Sequence, residues 1–240
     1  MQIEKYQEDI LLCKAVRDLD AELQKMNIKP FELHVCGGFA LLLQEIRKEV
    51  EQYTDIDYIG EDLSADIESV IAEVGHKYNF GSDWINNDVL LTGSSLEDLE
   101  YTTGKLHFQK KMDLSVISVY ALCKKDLLRM KVIAIDTSLS AIEFGGEFTR
   151  MKDFNDIKLL AEDLKWSLKD IQKECSAYIC SPYTYDLVKM FMEEPTKEDG
   201  IKKVDEFIEK IQDDPMTMDT FSDDFFMDFD DFAGMDSAYF

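Results

Sequence analysis

The sequence predicts an α+β fold, in which a mixed β-sheet is flanked by helices and followed by a helical part. Short segments that alternate apolar and polar residues, as strands do, lie between longer segments with the three- and four-residue spacing of helices. After about residue 150 only the helical pattern continues. The chain has 240 residues, 45% of them apolar, which is enough to bury one good core, so we expect one main domain.

The first 60 residues predict the order helix, strand, turn, helix, strand. Apolar residues recur at helical spacing through 3–26, and residues 31–35 alternate as a short strand. A glycine turn at 36–38 leads into 39–50, which is rich in strong helix formers. Residues 53–59 then predict a second strand.

The middle of the chain predicts a third helix, two further strands and a fourth helix. Residues 63–79 form the third helix, begun by a Ser64 cap and acidic residues in its first turns. Residues 105–112 and 114–122 are the two strands, and 124–139 is the next helix. Its buried stripe is predicted to include Leu127, Leu128, Val132 and Ile135.

The last third of the chain is predicted to be helical up to an acidic tail. Another helix begins near Lys152, and periodicity continues through 167–179, 185–193 and 204–212. We therefore divide the chain into a core (1–160), a helical part (161–212) and a tail (213–240).

The formal net charge of −24 limits the partners of this chain. Such a field repels polyanions, so broad, non-specific binding to nucleic acid or anionic lipid is excluded. The sequence has no apolar run of membrane-spanning length and a charged start, so we expect a cytoplasmic protein that does not enter a membrane. The cysteines form no CxxC pair, which leaves zinc sites and disulfides without support.

Asp55 and Asp57 are the first candidate site residues. Two residues apart on a strand, their side chains point to the same face, roughly 6.5 Å apart along it. Carboxylates in this arrangement suit magnesium, and paired magnesium ions stabilise the attacking and leaving oxygens of phosphoryl transfer. The alternative is a solvated acidic strand face.

Gly37 and Gly38 are the second candidate, because they join a strand to a helix. Free backbone N–H groups at such a turn receive phosphate, and glycine permits a close approach. The alternative is a turn that merely needs a positive φ. The order strand, glycine turn, helix, strand brings the turn and the two aspartates to the same edge of adjacent strands.

Four segments in order resemble a known family, the bacterial nucleotidyltransferase-like proteins related to minimal nucleotidyltransferases and AbiEii-type toxins. These proteins have a DNA polymerase β-like nucleotidyltransferase fold. The matching segments are HVCGGFALLL with TDIDYI, VGHKYNFGSDWINNDV, DLLRMKVIAI and TRMKDFNDIKLLAEDL. The resemblance covers Leu33 to Met190, and four ordered matches are more specific than any one of them.

The resemblance implies a role for each matching residue. Gly37 and Gly38 would cradle phosphates, and Asp55 and Asp57 would bind metal. Lys131 would face the nucleotide phosphates, where a lysine compensates developing charge.

The resemblance also implies a further carboxylate at the reacting centre. Asp153, or Asp156 as the second choice, would hold metal or accept a proton from the attacking hydroxyl. From the residues alone, Lys131 reads equally as a surface lysine, and the two aspartates as acids that favour a helix N-terminus.

The sequence departs from the family at two places. The family commonly has an arginine just before its Thr-x-Asp-x-Asp run, whereas residues 51–53 here are Glu-Gln-Tyr and Arg47 lies further back. A third strand carboxylate has no counterpart, because Asp113 lies at a strand boundary and the strand at 114–122 contains no acid.

Trp84, Asn86 and Asn87 lie in a polar stretch after the third helix. They either shape a base or acceptor pocket or, as we favour, form a core plug with a capped loop.

These observations favour a magnesium-dependent enzyme that transfers a nucleoside monophosphate from an NTP. The acceptor would be a hydroxyl of protein or of RNA such as tRNA, within a toxin–antitoxin pair as the resemblance implies. Lys124, Lys125, Arg129 and Lys131 are the best candidate for an RNA-binding surface, or else a solvated helix face. The alternative function is a non-catalytic, antitoxin-like binding protein.

The tail, residues 213–240, contains nine Asp residues and neither Lys nor Arg, interleaved with aromatic residues. We expect it to lack fixed structure unless it docks on a basic, apolar surface, with a basic protein as the expected partner. A tail kept for solubility and a tail that covers the 124–131 face in cis are the alternatives.

Overall fold

The computed structural model describes residues 10–47, 55–87, 100, 103–143, 146–181 and 183–213. The helices in this part of the chain are α1 (Leu11–Lys25), α2 (Gly37–Leu43), α3 (Ala65–Tyr78), α4 (Lys124–Glu143), α5 (Met151–Leu164), α6 (Leu168–Cys175), α7 (Tyr183–Glu193) and α8 (Lys197–Asp213). The strands are β1 (Phe31–Val35), β2 (Ile56–Asp57), β3 (Ile85–Asn86), β4 (Phe108–Asp113) and β5 (Ile117–Leu122). The α+β fold class that the sequence predicts is confirmed, with a small mixed sheet and a helical part.

The sheet has the strand order β1-β5-β4, with β1 parallel to β5 and β4 antiparallel to it. A parallel pair, β2-β3, joins β1 through an antiparallel bridge between Val35 and Tyr58. The Cys36 N–H donates to the Asp57 oxygen at 3.0 Å across this junction. The carboxyl ends of β1 and β5 therefore share one edge of the sheet, and β2 delivers Asp57 to that edge.

The core lies on the helix-covered side of the sheet. Alternate residues of β1 and β5, namely Leu33, Val35, Val119 and Ala121, are buried. The predicted stripe of α4 is confirmed, since Leu127, Leu128, Val132 and Ile135 are all buried. α4 contacts α5, α6 and α7, and α5 contacts α7 and α8, so the helical part packs directly on the core.

Helix α2 ends at Leu43, so the predicted helix over 39–50 is wrong after that residue. Glu45 adopts a left-handed φ of 61°, and the Gln44 side chain donates to the Leu122 oxygen at 2.8 Å. A tertiary hydrogen bond thus competes with helix propensity, which local sequence does not reveal. Residues 48–50 lie outside the described part.

Four other predictions are refined. α1 confirms the helix predicted over 3–26 from Leu11, and the ladder of the second strand is limited to Ile56–Asp57. Ser64 holds the N-cap position of α3, but its side chain makes no capping hydrogen bond. α5 spans residue 160, so the predicted boundary there falls inside a helix.

Trp84 is a core plug, as we favoured. It is buried, and its indole N–H donates to the Ile71 oxygen at 2.7 Å. No helix in the described part of the chain combines the length and apolar character that a membrane span requires.

Candidate functional site

Gly37 is the point at which the glycine turn meets the carboxylates. Its φ of 59° is left-handed, and a Cβ at this position would overlap the Asp57 carboxylate. None of the described residues accepts a hydrogen bond from the N–H groups of Gly37 or Gly38. The structure therefore brings Asp57 against an open glycine turn, and only glycine permits this close approach.

Asp55 and Asp57 lie two residues apart at β2. No described cation forms an ion pair with either of them. Asp55 is exposed just before β2, and Asp57 is partly buried within it. Burial raises the pKa of Asp57, and the negative charge of Asp55 raises it further. Lys131, Lys152 and Arg150 act on this pKa in the opposite direction. These three cations therefore lie close enough to act on Asp57, but none of them forms an ion pair with it.

Lys131 reaches this site from α4 and is held by two acids of α5. Its ammonium group pairs with Asp153 and lies 3.0 Å from Oδ2 of Asp156. Both carboxylates are fully inaccessible, and the Lys131 side chain is 12% exposed. Burial pulls the pKa of Lys131 down, but the two carboxylates outweigh burial and the pKa is raised. Lys131 therefore stays charged.

Arg47 completes this buried network. Its Nε donates to Oδ1 of Asp156 at 2.7 Å, and Nη2 donates to the same oxygen. The turn after α2 therefore connects to α5 beside Lys131. Both Arg47 and Asp156 are central to this network. By sequence, Arg47 is notable only because it lies further back than the arginine of the family that the sequence resembles. Asp156 is the second choice for the further carboxylate. The Asp153–Asp156 spacing, one helical turn on α5, was the signal that both acids share a face.

Arg150 and Lys152 are two site residues that sequence reasoning missed. Arg150 precedes α5 and lies 3.8 Å from Oδ2 of Asp153, an oxygen that accepts no hydrogen bond from the described residues. With Lys131 and Arg47 these residues supply four cations against the four aspartates of the site. The site is therefore close to neutral, although the chain as a whole carries a charge of −24. The signal was the basic start of the TRMKDFNDI segment.

The other candidate residues lie at different distances from this site. Asp113 ends β4 at the opposite edge of the sheet, where it pairs with Lys110 at 3.0 Å, so it supplies no third strand carboxylate. Asn86 lies next to Asp57 in the β2-β3 register. Asn87 donates to Asp62 at 2.7 Å.

The basic residues of α4 form ion pairs. Lys124 pairs with Asp163 at 2.7 Å, Lys125 with Glu174 at 2.8 Å, and Arg129 with Asp126 at 2.9 Å. Because Lys131 is also paired, these four cations form no uncompensated basic surface. The acidic tail, which in one alternative covers this face, lies outside the described residues after Asp213, so the predictions for it stay untested.

The Asp55–Asp57 pair suits a magnesium ion that takes its other ligands from substrate and water. It does not suit a metal ion bound by protein ligands alone. No cluster of three or more His, Cys, Asp or Glu residues suited to a metal exists among the described residues. Magnesium usually binds through one or two carboxylates together with substrate phosphates and water. Two adjacent carboxylates, with the pKa of one of them raised by the other, match that donor set.

Comparisons of the chain with family models, with curated proteins and with solved structures find no match. The residues and their geometry therefore carry the functional argument.

Proposed function

We propose that the chain is a magnesium-dependent nucleotidyltransferase. It transfers a nucleoside monophosphate from an NTP to a hydroxyl of RNA or protein, within a toxin–antitoxin pair. The observation that carries the proposal is the meeting, at one sheet edge, of the Gly37 turn, the Asp55–Asp57 pair and Lys131.

In this proposal Asp55 and Asp57 hold magnesium, which supplies charge neutralisation at the phosphates. The N–H groups of Gly37 and Gly38 donate to phosphate oxygens, and α2 has only seven residues, so its dipole adds little. Lys131 has three N–H donors and contacts two carboxylates, so one donor remains for a phosphate oxygen.

Asp153 positions Lys131. It is fully buried against that ammonium group, so an acceptor hydroxyl does not reach it. Arg150, beside Asp153, adds positive charge that also acts on Asp57. The attacking hydroxyl oxygen would bond to the α-phosphorus as the bond to pyrophosphate breaks, and its proton would pass to water.

Transfer of label from an NTP tests the proposal. The wild-type chain, incubated with magnesium, each α-phosphate-labelled NTP and cellular RNA or protein, should label one acceptor class. Asp55→Asn with Asp57→Asn should lower the rate about 100-fold or more. Asp113→Asn, a strand-end carboxylate at the opposite sheet edge, is the matched control. Equal transfer by the double variant and the wild type would refute the metal assignment.

A second function, a non-catalytic binding protein with the same fold, is favoured by one observation. β5 offers no carboxylate beside Asp57, and the described residues contain no three-acid metal cluster. In this case the chain binds no NTP or binds it without transfer, and labelled product is absent while the fold is intact.

A further inference from the structure

One edge of β1 carries main-chain groups that face away from the sheet. β1 bonds to β5 through alternate residues, beginning with the Phe31 N–H on the Val116 oxygen at 2.9 Å. In a parallel ladder this alternation turns the main chain of Glu32 and His34 to the other side. Along this stretch one bond from a described residue reaches that side, from the Ile59 N–H to the His34 oxygen at 2.7 Å. None of the described residues bonds to the remaining groups, which therefore form an open strand edge in this part of the chain.

This open edge borders a cleft of about 390 Å³ between β1 and the segment 58–64 that follows β2. The size lies within the range of sites that bind peptides or small ligands. The cleft is lined by the open edge on one side and by Tyr58, Glu61 and Asp62 on the other. It therefore combines main-chain groups, an aromatic ring and carboxylates.

The charge in the cleft is negative. Glu32, Glu61 and Asp62 line it, and all three are exposed. The partners described for these carboxylates are His34, 3.6 Å from Glu32, and the neutral amide of Asn87, which donates to Asp62. An occupant with positive side chains would gain electrostatic attraction here, and the net charge of the whole chain would steer it inward.

We propose that the outer edge of β1 and this cleft dock an extended, basic segment of a partner protein, which adds to the sheet as a strand. Strand addition to an exposed edge derives affinity from main-chain hydrogen bonds and specificity from alternate side chains. Lysine or arginine at every second position matches the cleft carboxylates. The cleft is lined by Phe31 to His34 of β1 and does not include the glycine turn, which follows Val35.

The acidic tail of this chain does not match the cleft. Its nine Asp residues, with no Lys or Arg, would face Glu32, Glu61 and Asp62. Like charges brought together in this way oppose docking. Charge complementarity thus selects a basic segment from another protein over the chain's own tail.

Amide hydrogen exchange, resolved by residue, tests the open edge in the full-length protein. Glu32 and His34 should exchange at least about 100-fold faster than Leu33 and Val35, whose N–H groups bond to β5. Equal protection of all four amides would show that another part of the chain already covers this edge, and would overturn the proposal.

A fluorescent octapeptide that alternates lysine and threonine tests the occupant. It should bind and slow exchange at Glu32 and His34, whereas the glutamate–threonine peptide should not. A lysine peptide N-methylated at every second residue should bind about tenfold more weakly, because it lacks the ladder donors. Absence of binding, or binding without protection of these two amides, would overturn the proposal.

A matched pair of charge variants separates docking from general attraction. Glu61→Lys with Asp62→Lys should weaken peptide binding about tenfold or more. Asp205→Lys with Glu209→Lys, on the exposed face of α8, makes the same change in net charge and should leave binding near the wild-type value. Equal loss in both variants would contradict docking in the cleft.

Discussion

Two pairs of aspartates lie within this site and differ in their burial and in their ion pairs. Asp55 and Asp57, at β2, are exposed or partly buried, and no described cation forms an ion pair with either. Asp153 and Asp156, on α5, are fully buried and contact Lys131, with Arg47 also on Asp156. The helix pair is already neutralised and fixes a lysine. The strand pair has no such ion pairs among the described residues, which is why the proposed metal site is placed there alone.

The largest expected effect comes from removing the cation of the helix pair. Lys131→Met leaves two buried carboxylates with one fewer cation, so the free energy of unfolding should fall by about 3–5 kcal/mol. Chemical denaturation at neutral pH measures this loss. Lys124→Met, which breaks the more exposed Asp163 pair, is the control and should cost about 1 kcal/mol or less.

The Lys131 prediction has a pH signature. Its folded-state pKa lies above the ordinary 10.5, so its contribution to stability is complete below that value. The contribution is lost as pH rises through the folded pKa. The difference between wild type and Lys131→Met should therefore be constant at neutral pH and shrink in strong alkali. A loss of under 1 kcal/mol at neutral pH would contradict a paired, buried network.

The next effect tests the contact between the strand pair and the glycine turn. Gly37→Ala places a methyl group against the Asp57 carboxylate at a left-handed φ, so the free energy of unfolding should fall by about 1–3 kcal/mol. Gly38→Ala, at a position without positive φ, should be neutral or slightly stabilising. Equal effects of the two changes would show that Asp57 does not pack against Gly37.

A smaller effect of opposite sign is expected at the strand pair itself. The folded pKa of Asp57 is raised above 3.8, so ionisation destabilises the fold as pH rises from the unfolded value through the folded one. Asp57→Asn should therefore be more stable than wild type at pH 7 by about 0.5–2 kcal/mol. The gain should vanish below the unfolded pKa. Thermal unfolding across pH measures it, and a destabilised variant at pH 7 would contradict the unpaired state of Asp57.

The smallest effect on stability is expected at Asp55. Its side chain is exposed, so Asp55→Asn should change the free energy of unfolding by no more than about 0.5 kcal/mol. The same variant should nevertheless weaken magnesium-dependent NTP binding, because it removes a metal ligand. Calorimetry with NTP and magnesium checks this separation. Intact binding would leave Asp57 as the sole carboxylate of the metal site.

The sequence predicts those parts of the fold whose signal is local. The stripe at Leu127, Leu128, Val132 and Ile135 is periodic over about two turns, and the structure buries all four residues. The end of α2 at Leu43 is set by contacts with β5, which local sequence does not reveal. Helix propensity over 39–50 was therefore an incomplete guide.

The candidate site shows the same division. The two-residue spacing at Asp55 and the glycine turn at Gly37 can be read from sequence, because both are short and local. The pairing of Arg47 with Asp156 joins residues 109 apart in the chain, so it needs the packed structure. By sequence alone Arg47 lies further back than the arginine of the family that the sequence resembles, whereas packing places it on Asp156.

Calorimetric titration of NTP into the full-length chain, with and without magnesium, distinguishes a magnesium-dependent nucleotide site from a fold without one. Binding should require magnesium, be lost in Asp55→Asn with Asp57→Asn, and be retained in Asp113→Asn. Binding that is indifferent to magnesium and to the double substitution, or no binding to the folded wild-type chain, would contradict it.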